Sequence, residues 1–430
     1  MKLWEKGAAV DAMMSEFTVG ADRAMDVRLA RWDVVGSIAH ADMLVSVGLL
    51  SALDGARLVA ALSDLLAEID SNGFVIDDGV EDVHSQVEQI LVERLGDIGK
   101  RIHTGRSRND QVLVDLKLWL RHELHTVRRA VVETAGLLLD LAERHRAVSL
   151  PGYTHYQVAM PSSFGLWYGG HAEALIEDLS VLDMAIHAAN ANPLGSAAGY
   201  GSTFPLDREA TTRALNFDRV HVTSTFAQMS RGRTEKLAAM AIAQVASTLG
   251  RFASDVVLYM SQNFAFVTLP DAFTTGSSIM PHKKNPDVFE VMRARCNRLQ
   301  ALPTEIQLVL GNLPSGYHRD LQFVKDRIIP AIDEIGLCLA VLQHVVPHLQ
   351  PSTAIMQDTR YRYIDSVDRV NGLVMQGTPF RDAYRMVADA IANDTYDDLP
   401  VSQPGDAPAH LGSVDNPGID VLRERLRHLL

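Results

Sequence analysis

Four polar stretches carry residue types that could hold anions or move protons, and helical patterning alone does not explain them. The first is His103-Thr104-Gly105-Arg106-Ser107-Arg108-Asn109-Asp110-Gln111, at the start of a long apolar-striped segment. A helix start offers free N–H groups and the positive end of a dipole, and Arg106 and Arg108 add planar donors for carboxylates. Capping by Ser107 or Asn109 beside solvated arginines explains the same residues equally well. The second stretch, Gly152-Tyr153-Thr154-His155-Tyr156-Gln157, places Thr154 and His155 in a loop ahead of Pro161. Such a pair suits carboxylate binding and proton relay, although a lone loop histidine is more often structural.

The third stretch runs from Thr274 to Pro286 and contains Gly276-Ser277-Ser278-Ile279-Met280-Pro281-His282-Lys283-Lys284-Asn285. Lys283 and Lys284 set positive charge beside two hydroxyls, which lowers the cost of a serine alkoxide. The same loop would also suit phosphate, but it lacks the Gly-Lys-Ser/Thr ending of a nucleotide-binding P-loop. The fourth, Tyr317-His318-Arg319-Asp320-Leu321-Gln322 with Lys325 behind it, opens another helix, and its bland reading is an ordinary cap. Four such stretches, so far apart in sequence, can meet only if long helices from several copies of the chain bring them together.

The elements that would position them are helices. Apolar residues recur at helical spacing over Asp33–Leu50, Asp54–Ile69 and Glu81–Leu95. From Asn109 to Leu150 there is no proline, and Val112, Leu116, Trp119, Val127, Val131, Leu138 and Leu141 fall near one stripe, which predicts a single helix of about forty residues. Pro161–Asn190, alanine-rich Thr225–Gln262, Pro286–Leu302 and Leu321–Leu349 are further long candidates. Tyr363–Met375 and Pro379–Asn393 read as a short pair, 394–417 as loop, and Val421–Leu430 as a last amphipathic helix. The reading is all-α, with little strand, in three domains: an N-terminal helical domain over 1–105, a long-helix bundle over 106–351, and a small helical domain with a tail over 352–430. Helices well beyond the usual 11–12 or so residues leave their ends unsupported in one bundle, so an oligomer is expected.

Bulk composition narrows the classes. The chain has 430 residues, 47% hydrophobic and 22% charged, as in ordinary globular proteins. A formal net charge of −13 speaks against nonspecific nucleic-acid binding. Cys296 and Cys338 fit no zinc spacing and suggest a reducing compartment. No signal-peptide core opens the sequence, and no uninterrupted apolar run approaches the ~20 residues of a membrane span, so a cytoplasmic protein is expected.

The third stretch resembles the signature of the fumarase/aspartase superfamily. Its Lys283-Lys284-Asn285-Pro286-Asp287 ending and the Gly105–Gln111 motif are similar to the argininosuccinate lyases within it. Glu81-Asp82-Val83-His84, Asn192-Pro193-Leu194-Gly195-Ser196 and Gly377-Thr378-Pro379-Phe380-Arg381 add to a likeness spanning about 1–393. The resemblance implies a three-domain fold whose central helices form a twenty-helix core in a homotetramer. It implies active sites shared by three subunits, and neither metal nor organic cofactor. It implies cleavage of a small molecule, argininosuccinate, to arginine and fumarate by anti β-elimination. Other fumarate-releasing lyases, of adenylosuccinate or aspartate, and an inactive crystallin-like relative are the rival readings.

Matched residue by residue, Ser277 resembles the catalytic serine and His155 the catalytic histidine, with Thr154 as its substrate-binding neighbour. Asn109, Asn285, Tyr317, Gln322 and Lys325 match substrate-binding positions, and Ser107 and Arg108 are assigned with Asn109. Lys283 and His84 match residues in or beside the site, Lys283 with a catalytic part. Three places depart from the family pattern: Glu5-Lys6-Gly7 after Trp4, Gly20 in place of a serine, and Ser230-Arg231-Gly232-Arg233 in place of Ser-Asp-Arg-Asp. They bear on how one end of the substrate is held.

Overall fold

The apolar stripes become helices in a computed structural model that describes residues 11–399 and 409–430. The longest helix is Arg108–Arg144, 37 residues. All seven of its predicted stripe residues, Val112 through Leu141, are buried. It stops short of Leu150 because Ser149–Thr154 and Gln157–Ser163 pair as an antiparallel hairpin. The same hairpin takes Pro161 out of the next helix, which is Phe164–Ala189. Pro151 and Pro161 face each other in this hairpin, and a register shift lies between Pro151 and Tyr153. Two smaller two-stranded sheets complete the strand content among the described residues.

The alanine-rich segment divides into Ser224–Met229 and Arg233–Tyr259, broken at Gly232 with φ +76°. A β-carbon there would lie 2.2 Å from Leu310 Cδ2, so the break requires glycine. The remaining long helices are Asp287–Leu299, followed separately by Leu302–Val309, and Gln322–Val345. The pair near the end is Ser366–Met375 and Phe380–Ala392, and the last helix is Ile419–His428. Among the described residues one stretch, Arg319–His348, is long and apolar enough to cross a membrane by length and composition, its 18-residue window reaching a mean hydropathy of 1.6. The sequence reading did not single it out because Asp333 and Glu334 interrupt its apolar run.

The chain folds as two units, each drawn from three separated segments. One takes its described residues from Met1–Arg129, Asp178–Ser247 and Cys296–Leu337; the other from Ala130–Glu177, Thr248–Arg295 and Cys338–Leu430. In the first, Ala30–Ser46, Ala52–Asn72 and Val83–Leu95 enclose a core that includes Leu44, Leu58, Leu62, Val87 and Leu91. Ser51 caps one of these helices and Asp82 another, each accepting from the backbone N–H three residues on, at 3.1 and 2.8 Å. In the second unit, Val370, Leu373, Ala383, Val387 and Tyr396 form a smaller core under the helix pair near the end.

The 3₁₀ turn Gly96–His103 sets the approach to the first polar stretch. A β-carbon on Gly99 would lie 2.5 Å from the backbone of Leu91, so the turn lies directly on the helix that carries His84. Gly99→Ala should therefore destabilise the protein by about 1–3 kcal/mol, as overpacking against rigid backbone does. A urea melt with an unshifted midpoint would contradict that packing.

Candidate active site

In the first unit, six of the residues singled out by sequence line one cavity: His84, Arg108, Asn109, Tyr317, Gln322 and Lys325. Its volume of about 220 Å³ is below the roughly 300–1,000 Å³ of a complete small-molecule site. It therefore has the size of part of a site.

Its wall is a lattice of opposed charges. Arg108 Nη1 lies 2.9 Å from Asp82 and 3.4 Å from Glu81, and its Nη2 donates to Ser85 Oγ at 2.7 Å. Lys325, buried, is 2.6 Å from Asp22 and also bonds Asp26. Burial works against the Lys325 ammonium, but Asp26 and Asp22 outweigh it and raise its pKa. Gln322 donates to Asp22 at 2.7 Å and accepts from Arg319 at 2.6 Å. Burial alone would raise Asp82, but the charges of His84 and Arg108 hold it below the usual carboxylate range.

Behind His84 lies a buried acid pair. Its Nδ1 is 3.0 Å from Asp33 Oδ1 and 3.6 Å from Asp115 Oδ2. Gln111 also donates to Asp33 Oδ1, at 2.6 Å. Burial opposes charge on His84, yet the Asp33 charge and hydrogen bond prevail and raise the imidazole. Asp33 is held low against its own burial by His84, Arg106 and Gln111. Asp115 goes the other way: burial, then the Asp33 charge, push it well above the carboxylate range. The two adjacent buried acids are thus shifted in opposite directions. With Nδ1 engaged, Nε2 is the ring nitrogen left for the cavity. Donor atoms of Asp33, His84 and Asp115 lie within 4.8 Å of one another, the group among the described residues best placed to hold a cation. The buried Arg106 guanidinium already supplies positive charge to Asp33 and Asp115, which opposes a second cation there.

Other residues of the first stretch have different work. Arg106 is buried and donates to Ser37 Oγ at 3.0 Å, away from solvent. The hydroxyl of Ser107 accepts from Asn109 N–H at 3.3 Å. The anion at this helix start belongs to the chain itself. Asp110 accepts from the backbone N–H groups of Ser107, Gly195 and Ala197 at 2.8, 2.9 and 2.8 Å.

The second unit carries the rest. Thr154 and His155 sit at the tip of the hairpin, both exposed. His155 and Tyr156 have φ of +53° and +57°, the left-handed pair that a two-residue hairpin turn demands. Neither is glycine, so the turn holds a backbone conformation that side chains rarely adopt, a form of strain that clusters at functional sites. His155 borders a pocket with Tyr153, Asp255 and Tyr259. Ser277, Lys283 and Asn285 share the loop over 274–286, which is pinned where Asn285 N–H donates to Thr275 O at 2.8 Å. The Ser277 oxygen accepts from the N–H groups of Met280 and Ile279 at 3.2 and 3.4 Å. Donors aimed at that oxygen favour its ionised form.

Sequence reasoning did not assign roles to Asp33, Asp115, Asp22, Asp26 or Arg231, although all but Asp115 and Asp33 line the cavity. A signal existed: Gln111 and Asp115 lie one helical turn apart, where the helix is otherwise flanked by buried Val112, Val114 and Leu116. Of the three departures, Arg231 lies in the cavity wall and Gly20 follows Val19 there, while Glu5, Lys6 and Gly7 fall outside the described residues.

Comparison with known proteins agrees in sequence and in fold. A family described as lyase matches residues 5–301. An argininosuccinate lyase of Phocaeicola vulgatus is 50% identical over 430 residues, covering 100% of this chain and 95% of that one. The chain belongs to the argininosuccinate lyase family. Among solved structures, an EDDS lyase in complex with formate superposes with a TM-score of 0.79 at 23% identity, covering 98% of this chain and 90% of that one. A class II fumarase of Schistosoma mansoni gives 0.75 at 15% identity, covering 94% and 96%. This member of the argininosuccinate lyase family thus has the all-α, fumarase/aspartase-like fold.

Linkage fixes how the His84–Asp33 pair responds to pH. The raised His84 contributes fully below the ~6.5 of an unfolded histidine and loses that contribution as pH rises through its folded value. The lowered Asp33 contributes fully above the ~3.9 of an unfolded aspartate and loses it as pH falls through its folded value. Asp33→Asn should cost about 1–3 kcal/mol between these limits, because it removes the acid bonded to the buried imidazole at 3.0 Å and leaves Asp115 at 3.6 Å. In denaturant melts across pH, the deficit should narrow on the alkaline side. A deficit that does not vary with pH would contradict the charged pair.

Proposed function

We infer that this protein splits argininosuccinate into arginine and fumarate, a carbon–nitrogen lyase reaction that serves arginine synthesis. The observation that carries this is identity of 50% along the whole chain to a protein named for that reaction. The loop and cavity chemistry supports the same reading.

In the elimination, a base takes a proton from the succinyl carbon next to a carboxylate. The electron pair is held as an aci-carboxylate until the C–N bond breaks, and a proton reaches the departing guanidinium nitrogen. Ser277 is the base in this reading, and the two N–H groups aimed at its oxygen reduce the cost of ionising it. Lys283 and Asn285 supply positive charge and hydrogen bonds to the developing dianion. His155 serves the acid side with Thr154 beside it. Arg108, Asn109, Tyr317, Gln322 and Lys325 hold substrate, and Ser107 sets the start of their helix. His84, its imidazole raised by the Asp33 charge and hydrogen bond, faces the substrate through Nε2.

A part-sized cavity and catalytic residues carried on separate segments favour a homotetramer whose sites draw on three subunits. The same reading keeps the three-domain division at 105 and 351 and a cytoplasmic location. No metal or organic cofactor takes part in the steps as written.

The test is fumarate release followed by absorbance. The wild-type protein should act on argininosuccinate, with little action on adenylosuccinate or aspartate. Ser277→Ala should lower kcat by about 10²-fold or more while its circular dichroism stays unchanged. Release from another substrate in preference to argininosuccinate would overturn the assignment, and near-normal turnover by Ser277→Ala would overturn the role of the serine.

A further inference from the structure

The cavity of the first unit contains a cation that nothing yet accounts for. Arg231 is 4% exposed, lines the cavity, and lies 5.5 Å from the centroid of the Tyr317 ring. The other cationic side chains of the wall have carboxylate partners: Arg108 with Asp82 at 2.9 Å, Arg319 with Glu81 at 3.9 Å, and Lys325 with Asp22 at 2.6 Å. Among the described residues, no ion pair or hydrogen bond engages the Arg231 guanidinium, and its Nε is buried without a partner. The nearby carboxylate of Glu235 is turned to the backbone, where its Oε2 accepts from Gly232 N–H at 2.8 Å. Glu235 feels the Arg231 charge but is not bonded to it, and a buried guanidinium with no carboxylate hydrogen-bonded to it is costly; a planar bidentate carboxylate relieves that cost best.

The glycine beside it is part of the arrangement. Gly232 breaks the helix with φ +76°, a conformation that side chains rarely adopt, and a β-carbon there would also displace Leu310. This turn holds Arg231 in the wall between Ser224–Met229 and Arg233–Tyr259.

We propose that Arg231 receives the α-carboxylate at the amino-acid end of the substrate. The argument rests on argininosuccinate as the substrate. Its succinyl half carries two carboxylates and no cation once the guanidinium is set aside. Its amino-acid half carries an ammonium and a carboxylate together. The Arg231 Nε, buried in the cavity wall without a hydrogen-bond partner, suits the carboxylate of that pair. Arg231 is therefore a specificity-determining residue, and it stands at one of the positions where this chain departs from its family's pattern.

Calorimetric titration separates the possibilities, using arginine, agmatine (arginine without its carboxylate) and fumarate. Wild-type protein should bind arginine about 10-fold or more tighter than agmatine, the scale of a charge-assisted hydrogen-bonded pair. Arg231→Gln should erase that preference, weakening arginine while agmatine and fumarate stay within about twofold, well under the ~10-fold of one lost charged contact. Arg231→Lys should retain part of it. Equal weakening of arginine and agmatine would make Arg231 a structural residue. Weakened fumarate would assign it to the succinyl end, and unchanged arginine would remove it from the site. Each of these overturns the proposal. A fumarate-release assay on the wild type runs alongside and reports on the substrate reading separately. Arginine binding that depends on Arg231, without turnover, would sustain the carboxylate site and reject the lyase reading.

Discussion

Burying charge without a partner is costly, and that constraint shapes the first unit from its core to its cavity. Asp33, Arg106, Asp110, Asp115 and Lys325 are all buried. Each is placed so that a neighbour offsets its burial: His84 against Asp33, backbone N–H groups against Asp110, Asp22 and Asp26 against Lys325. Asp115 differs: burial and the Asp33 charge push its carboxyl well above its ordinary value. The helices that carry these groups are held in register by the requirement that every pairing be made at once. A cavity wall built this way is rigid, and its unpaired positions stand out.

The second unit uses backbone geometry where the first uses charge. A two-residue turn forces His155 and Tyr156 into left-handed conformations and raises His155 above the hairpin strands. The loop over 274–286 is closed by the Thr275–Asn285 bridge and by contacts of Lys284 with Asp271. Inside that closure two backbone N–H groups converge on the Ser277 oxygen. An ordinary serine hydroxyl is a poor base, so this convergence is the feature that suits it to proton removal.

Much of the fold was legible in the sequence because helical periodicity reports burial directly. Every stripe residue named from Val112 to Leu141 lies inside. The hairpin was missed because Ser149–Thr154 and Gln157–Ser163 contain two prolines and a glycine and show no clean alternation; it is the turn at His155 that sets their pairing. The break at Gly232 was missed because a lone glycine inside a helical pattern does not by itself stop a helix; its left-handed φ of +76° is what marks the break. Among candidate site residues, motifs pointed to Asn109, Lys325 and Ser277 through resemblance. Asp33 and Asp115 looked like ordinary helix polarity, since only folding shows that their carboxylates share one imidazole. Arg231 stood out only as a departure from a pattern until its surroundings were visible.

In the proposed function, the charged cavity of the first unit and the serine loop of the second act on one substrate and come from different copies of the chain. Subunit complementation tests this most directly. Chains carrying Ser277→Ala are co-expressed with chains carrying Asn109→Ala, and fumarate release is measured on the mixed assembly. If different copies complete one site, the mixture regains activity that neither parent possesses. Mixed assemblies as inactive as both parents would contradict the claim.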